Sequence, residues 1–192
     1  MSTIEKDPEF VGEAMRAAIP QNSFGLGGLD HVGIPTRDPD LAGKFVEQIL
    51  GGIECYRAGY SSEDLAMKRL RHIFYHVGHT IVEVVEVEDG ESYPDKTNPF
   101  SKNTNPHWAF GTSSAGVARF VEHLKREGIP FNGPRSHRGA SVVSVYFRDL
   151  DGNNLEVTTW DDDATEVLDC KMMGGKNGFI GWENLGHNWQ PR

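Results

Sequence analysis

The stretch Val142 to Trp160, VVSVYFRDLDGNNLEVTTW, decides how the rest of the chain is read. Val143, Val145 and Phe147 alternate with Ser144 and Tyr146, the period of a strand with one face inward. Asp151-Gly152-Asn153-Asn154 is a polar turn, and Leu155 to Thr158 begin a second strand with Glu156 inside it. A carboxylate in that setting costs several kcal/mol unless it reaches water, a cation or a positive side chain. Glu156 therefore needs a partner, and the other elements are candidates to supply it.

Working outward, the pattern that ends in Glu156 occurs twice. In the second copy, His107-Trp108-Ala109-Phe110 reads as a strand. Ser113 or Ser114 caps a helix with Val117, Phe120, Val121 and Leu124 inward, Gly128 ends it, and a short strand over Ile129 to Phe131 precedes the hairpin. In the first copy, Leu29 to Pro35 (LDHVGIP) is a strand and Asp38-Pro39 starts a helix with Leu41, Phe45 and Ile49 on one face. Ile53 to Arg57, Arg71 to Val77 and Thr80 to Val87 are further strands, the last two joined at Gly78-His79. Equivalent residues (His31 and His107, Phe45 and Phe120, Ile53 and Ile129, Glu83 and Glu156) are separated by 73 to 76 positions. This is an internal repeat of strand, helix and three strands. One sheet face of each copy is covered by its helix and the other is bare, so the expected fold is α+β, with two βαβββ modules paired around a concave cavity. The modules are expected over 29–87 and 106–160, joined by a linker over 88–105.

Both ends extend beyond the repeat. Residues 1–28 carry an amphipathic helix after Asp7-Pro8, with Phe10, Val11, Ala14, Met15, Ala18 and Ile19 on one stripe, then a glycine-rich linker. Residues 161–192 begin with Asp161-Asp162-Asp163, expected as a solvated turn and helix start. They end in a segment too apolar for a free tail: Phe179, Trp182, His187 and Trp189. Packing on the body or across a dimer is favoured there over a flap at the pocket mouth, and a homodimer is the expected assembly.

Charge and composition narrow the function. Net charge is −9 and the pI about 5.3, with acids and bases interspersed. No basic stripe for nucleic acid and no polybasic lipid anchor results, so a small molecule is the expected partner. No apolar run approaches the roughly 18 residues of a membrane span. Cys55 and Cys170 lack metal or redox spacing, and a reduced cytoplasmic setting is expected.

Taken singly, a strand histidine is more often a hydrogen-bonded structural residue, and Glu83 could belong to a solvated face with Glu86 and Glu88. Repeat equivalence changes that balance. His31 and His107 stand on the first strand of each copy, and Glu83 and Glu156 on the last. Imidazole nitrogen and carboxylate oxygen suit a borderline divalent ion, and two histidines with one carboxylate leave coordination positions open to substrate.

The stretches LDHVGI, NPHWAF and VYFRDLDGNNLEV resemble the vicinal oxygen chelate superfamily, and with the elements between them the resemblance covers about Leu29 to Trp160. That superfamily includes glyoxalase I, fosfomycin-resistance enzymes, methylmalonyl-CoA epimerase, bleomycin-binding proteins and type I extradiol dioxygenases. It implies a metal held by His31, His107 and Glu156, with Glu83 in the position of a fourth ligand. The extradiol pattern is matched by His137, Val145-Tyr146, Asp149, Gly152 and Glu156, but Leu150 replaces its proline and Arg135 stands where it prefers a small or apolar residue. On that resemblance the expected activity is Fe(II)-dependent ring cleavage of a catechol-like molecule with O₂. His76 would transfer protons, and His137 and Tyr146 would hydrogen-bond the bound oxygens. The alternative is a glyoxalase I-like lyase or acyl-CoA epimerase using Ni, Zn or Co, with Mn also among the possible ions, and the third reading is a metal-free drug-binding protein.

Overall fold

The computed structural model describes residues 29–87, 107–136, 142–170 and 185–192. These fall into two compact units. The first holds 29–87 with 149–153 and 188–192; the second holds 107–136, 142–148, 154–170 and 185–187.

In the first unit the order is β1 (His31–Thr36), α1 (Pro39–Ile49), β2 (Ile53–Ala58), α2 (Ser62–Ala66), β3 (His72–Val77) and β4 (Thr80–Glu86). The sheet runs β1-β4-β3-β2, with β1 parallel to β4 and the other pairs antiparallel. Asp38 caps α1 by accepting from the Leu41 amide at 3.1 Å, and Pro39 at the first helical position lacks only an N–H that would have no helical partner. The helix buries Ala42, Phe45, Val46 and Ile49, and the sheet buries Ile34, Ile73, Tyr75, Val82 and Val84. Removing each such aliphatic side chain from water contributes about 1.5–3 kcal/mol. Gly43 is required by the same packing, because a Cβ there would lie 2.1 Å from the Tyr75 hydroxyl oxygen.

The second unit repeats the plan: β5 (Trp108–Gly111), α3 (Ser114–Glu127), β6 (Phe131–Ser136), β7 (Val143–Arg148), β8 (Asn154–Thr159) and a short α4 (Ala164–Val167). The sheet order is β5-β8-β7-β6, with β5 parallel to β8. Val143, Val145, Phe147 and Leu155 are buried, as are Val117, Val121 and Leu124 of α3, and Phe120 meets Phe147 with ring centroids 5.3 Å apart. Gly128 closes α3 in the left-handed region at φ 69°, the conformation glycine adopts without penalty. Asp161 is more than a solvated turn residue, since its Oδ2 accepts from the Ser114 amide at 2.7 Å and from the Ser114 hydroxyl at 3.0 Å.

The α+β class and the two βαβββ modules expected from the repeat are the architecture observed. Two details differ. The second strand of the second module is Phe131–Ser136 rather than Ile129–Phe131, because β6 is an edge strand that accommodates Gly133-Pro134 where its register with β7 shifts. Helix α2 is an element beyond the expected pattern: it buries none of its residues and so carries no apolar stripe.

The C-terminal residues described here pack rather than hang free. Leu185 and Trp189 are buried, and Trp189 meets Phe45 edge-on with centroids 5.5 Å apart within the first unit. His187 Nε2 lies 2.8 Å from the Arg148 carbonyl oxygen within the second. The N-terminal helix, the 88–105 linker, Phe179 and Trp182 lie outside the described residues. Cys55 and Cys170 are free thiols, and no described helix is long and apolar enough to cross a membrane.

Candidate metal centre

Strand pairing assigns the polar side chains to one face of each sheet. Laterally paired residues share a face, so the first unit's helix-distal face carries His31 and Gly33 on β1, Ile81 and Glu83 on β4, and His72, Phe74 and His76 on β3. His31 and His76 both pair with Ile81, while Gly33 and Phe74 flank Glu83. The second unit places Ala109 and Tyr146 on either side of Glu156, and Gly111 and Ser144 on either side of Thr158. His107 precedes β5 by one residue, two positions before Ala109. A small residue thus stands beside each carboxylate, Gly33 by Glu83 and Ala109 by Glu156. At Gly33 an added Cβ would come 3.5 Å from Glu83 Oε2.

The candidate ligands stand in two pairs, one in each unit. His31 Nε2 is 3.7 Å from Glu83 Oε2, and His107 Nε2 is 2.7 Å from Glu156 Oε2. Among the described residues, no three His, Cys, Asp or Glu side chains are gathered closely enough to hold an ion. Asp30 Oδ1 lies 2.8 Å from His31 Nδ1. This contact holds the imidazole pKa above its ordinary value, with burial opposing and the charges of Glu83 and Asp30 adding to the rise. With Nδ1–H given to Asp30, a neutral His31 presents Nε2 as a lone pair on the Glu83 side.

Glu83 has a second contact, to a histidine outside the repeat-equivalent set. Its Oε1 is 2.6 Å from His72 Nδ1, and its side chain is only 14% exposed. The signal for His72 was available. The two-residue Gly78-His79 turn sets Phe74 opposite Glu83, and strand alternation then puts His72 on the same face.

Tyr146 is fully buried opposite Glu156. Burial pushes its phenol well above the ordinary range; a hydrogen bond with Ser144 opposes this, the Glu156 charge and hydrogen bond add to it, and Arg135 opposes it. The group is a protonated donor at neutral pH. Ser144 Oγ and Thr158 Oγ1 complete this polar face at 3.0 Å from each other. His76 is exposed on β3. His137 lies outside the described residues.

The fold and these paired donors define the class. The chain belongs to the Glyoxalase/Bleomycin resistance protein/Dioxygenase superfamily, whose model matches residues 28–157. It is 24% identical over 132 residues to the fosfomycin resistance protein FosX of Listeria innocua, covering 69% of this chain and 89% of that protein. Among solved structures, FosX from Listeria monocytogenes complexed with Mn(II) and sulfate matches with a TM-score of 0.53 at 19% identity, over 73% of this chain and 98% of that one. A glyoxylase/bleomycin resistance protein/dioxygenase domain from Frankia sp. EAN1pec matches with a TM-score of 0.57 at 22% identity, over 73% and 96%.

Proposed function

We propose that the chain is a divalent-metal enzyme acting on a small oxygen-bearing molecule, with His31, Glu83, His107 and Glu156 as its ligand set. The reaction class favoured is proton transfer of the lyase or isomerase type. The observation that carries this choice is Glu83, whose Oε2 is directed to the His31 side rather than away from it. Four protein ligands on a six-coordinate ion leave two positions, enough for two vicinal substrate oxygens but not for O₂ as well.

The donor set fits such an ion. In this ligand set each module contributes one imidazole and one carboxylate, and neutral imidazole with carboxylate suits Mn, Co, Ni, Zn or Fe. The Mn(II) in the FosX structure supports a divalent ion of this group. When bound, the ion would polarise a chelated oxygen and acidify the adjacent C–H. The chain's own part is to hold and move the proton: Tyr146 O–H donates to Glu156, and the Glu83 and Glu156 carboxylates are the bases in this reading.

The dioxygenase reading keeps one observation of its own. His76, to which it assigns the acid–base step, shares the face of His31 and Glu83 and is exposed. The test is metal-free protein reconstituted in turn with Mn(II), Co(II), Ni(II), Zn(II) and Fe(II). It is offered a hemithioacetal and a 2-methyl-acyl thioester under nitrogen, and a catechol panel with and without O₂. Anaerobic isomerisation is expected. Oxygen uptake with ring-opened product would replace this assignment with the dioxygenase, and failure of every ion to bind stoichiometrically would replace both with a binding protein.

A further inference from the structure

We infer that His72 is a positioning residue for Glu83, which it confines to a single free oxygen. The inference rests on the reading of Glu83 as a metal ligand. It begins from a difference between the two modules. Opposite Glu156, Tyr146 supplies a buried hydroxyl that hydrogen-bonds the carboxylate. Opposite Glu83, the same place is held by Phe74, which has nothing to donate. The missing donor is supplied two residues earlier on the same strand and face: His72 Nδ1 reaches Glu83 Oε1 at 2.6 Å. The residue at the corresponding place beside Tyr146 is Ser144, which instead pairs with Thr158 at 3.0 Å.

An ionised carboxylate only accepts, so the imidazole donates Nδ1–H. A hydrogen bond to a charged acceptor at this length, on a side chain largely out of water, restricts the carboxylate to one rotamer and one tilt. With Oε1 engaged, the oxygen left for an ion is Oε2, the atom on the His31 side. His72 therefore makes Glu83 a one-oxygen ligand and reduces the ordering it must undergo on binding. The effect of losing such an outer partner is about 10- to 100-fold in metal affinity.

The experiment measures Co(II) affinity and the visible Co(II) spectrum of the full chain as wild type, His72→Phe, His72→Asn and Glu83→Gln, with the melting temperature of each metal-free protein. His72→Phe is expected to weaken Co(II) by about 10- to 100-fold and alter the spectrum at an unchanged melting temperature, with His72→Asn, which keeps a donor, recovering part of the loss. Parental affinity and spectrum in His72→Phe, beside a large loss in Glu83→Gln, overturn the inference and leave the ligand set standing. A loss of affinity that only follows a lowered melting temperature also overturns it. If Glu83→Gln binds Co(II) as the wild type does, the ligand reading itself falls and the inference with it.

Discussion

His107 Nε2 and Glu156 Oε2 lie 2.7 Å apart, with the Glu156 side chain only one-tenth exposed. The carboxylate that made β8 an expensive strand thus has an imidazole from the neighbouring parallel strand's entrance as its partner. An imidazole nitrogen and a carboxylate oxygen are also the donor types of the proposed ligand set. His107→Ala and Glu156→Gln are each expected to abolish stoichiometric metal in the purified protein, as read by elemental analysis. Full occupancy in both variants would remove the pair from the site.

His76 separates the two reaction classes. With proton transfer assigned to the carboxylates, His76→Phe should retain the ion and keep turnover within a few-fold of wild type. The dioxygenase reading instead requires a loss of about 10²- to 10⁴-fold, the usual effect of deleting a general acid–base group. Steady-state rates on the reactive substrate, with metal content measured on the same sample, decide between them.

Acid sensitivity should trace in part to Glu86. Arg71 donates Nε to Glu86 Oε2 at 2.9 Å and Nη2 to Oε1 at 2.8 Å, and the Arg71 amide adds a bond at 3.1 Å. These hydrogen bonds hold the Glu86 carboxyl below its ordinary value, chiefly through the Arg71 side chain and against the opposing effect of burial. A folded-state pKa below the unfolded one gives stability that is present above the unfolded value and lost as pH falls through the folded value. Glu86→Gln should therefore cost about 1 kcal/mol at neutral pH, with the difference from wild type shrinking below about pH 4.5. Urea unfolding across that range provides the measurement, and a pH-independent difference would contradict the assignment.

Packing under α1 gives a stability prediction independent of any ion. Gly43→Ala places a methyl 2.1 Å from the hydroxyl oxygen of Tyr75, a side chain that is itself buried. Overpacking of this kind costs about 1–3 kcal/mol, which exceeds the roughly 1 kcal/mol that alanine gains over glycine in a helix. Net destabilisation is expected, and Tyr75→Phe in the same chain should recover part of it by removing the obstructing atom. Additive losses in the double variant would show that the clash lies elsewhere.

What could be read from the sequence divides along physical lines. The apolar stripes of α1 and α3 were visible because burial on one face imposes a period; Val143 to Phe147 alternate in residue type although both faces of β7 are buried, and the repeat supplied the two modules. The strand expected over Ile129 to Phe131 runs on through Gly133 and Pro134 to Ser136, because β6 lies at the sheet edge, where one row of backbone groups needs no partner. α2 went unseen because it is held by a capping box between Ser61 and Asp64 instead of by burial. At the candidate site, the histidines and carboxylates were legible from their repeat-equivalent positions. The place of His72 on the Glu83 face also follows from the Gly78-His79 turn, whereas the contrast between Phe74 and Tyr146 in the two modules needs the register of both hairpins.

Trp189 rests on Phe45, Arg192 donates its amide to Gln48 at 3.1 Å, and Asp151 receives the Thr36 hydroxyl at 2.6 Å, all within the unit built on β1 to β4. Each contact joins residues more than a hundred positions apart. Excising residues 29–87 would therefore yield an incomplete folding unit, with Phe45 deprived of Trp189 and Thr36 of Asp151. Loop-closure entropy makes such distant contacts late events, so α1 should exchange its amide protons with solvent until the remote segments arrive. A peptide spanning 185–192, added to such a fragment, is the natural reagent for restoring it.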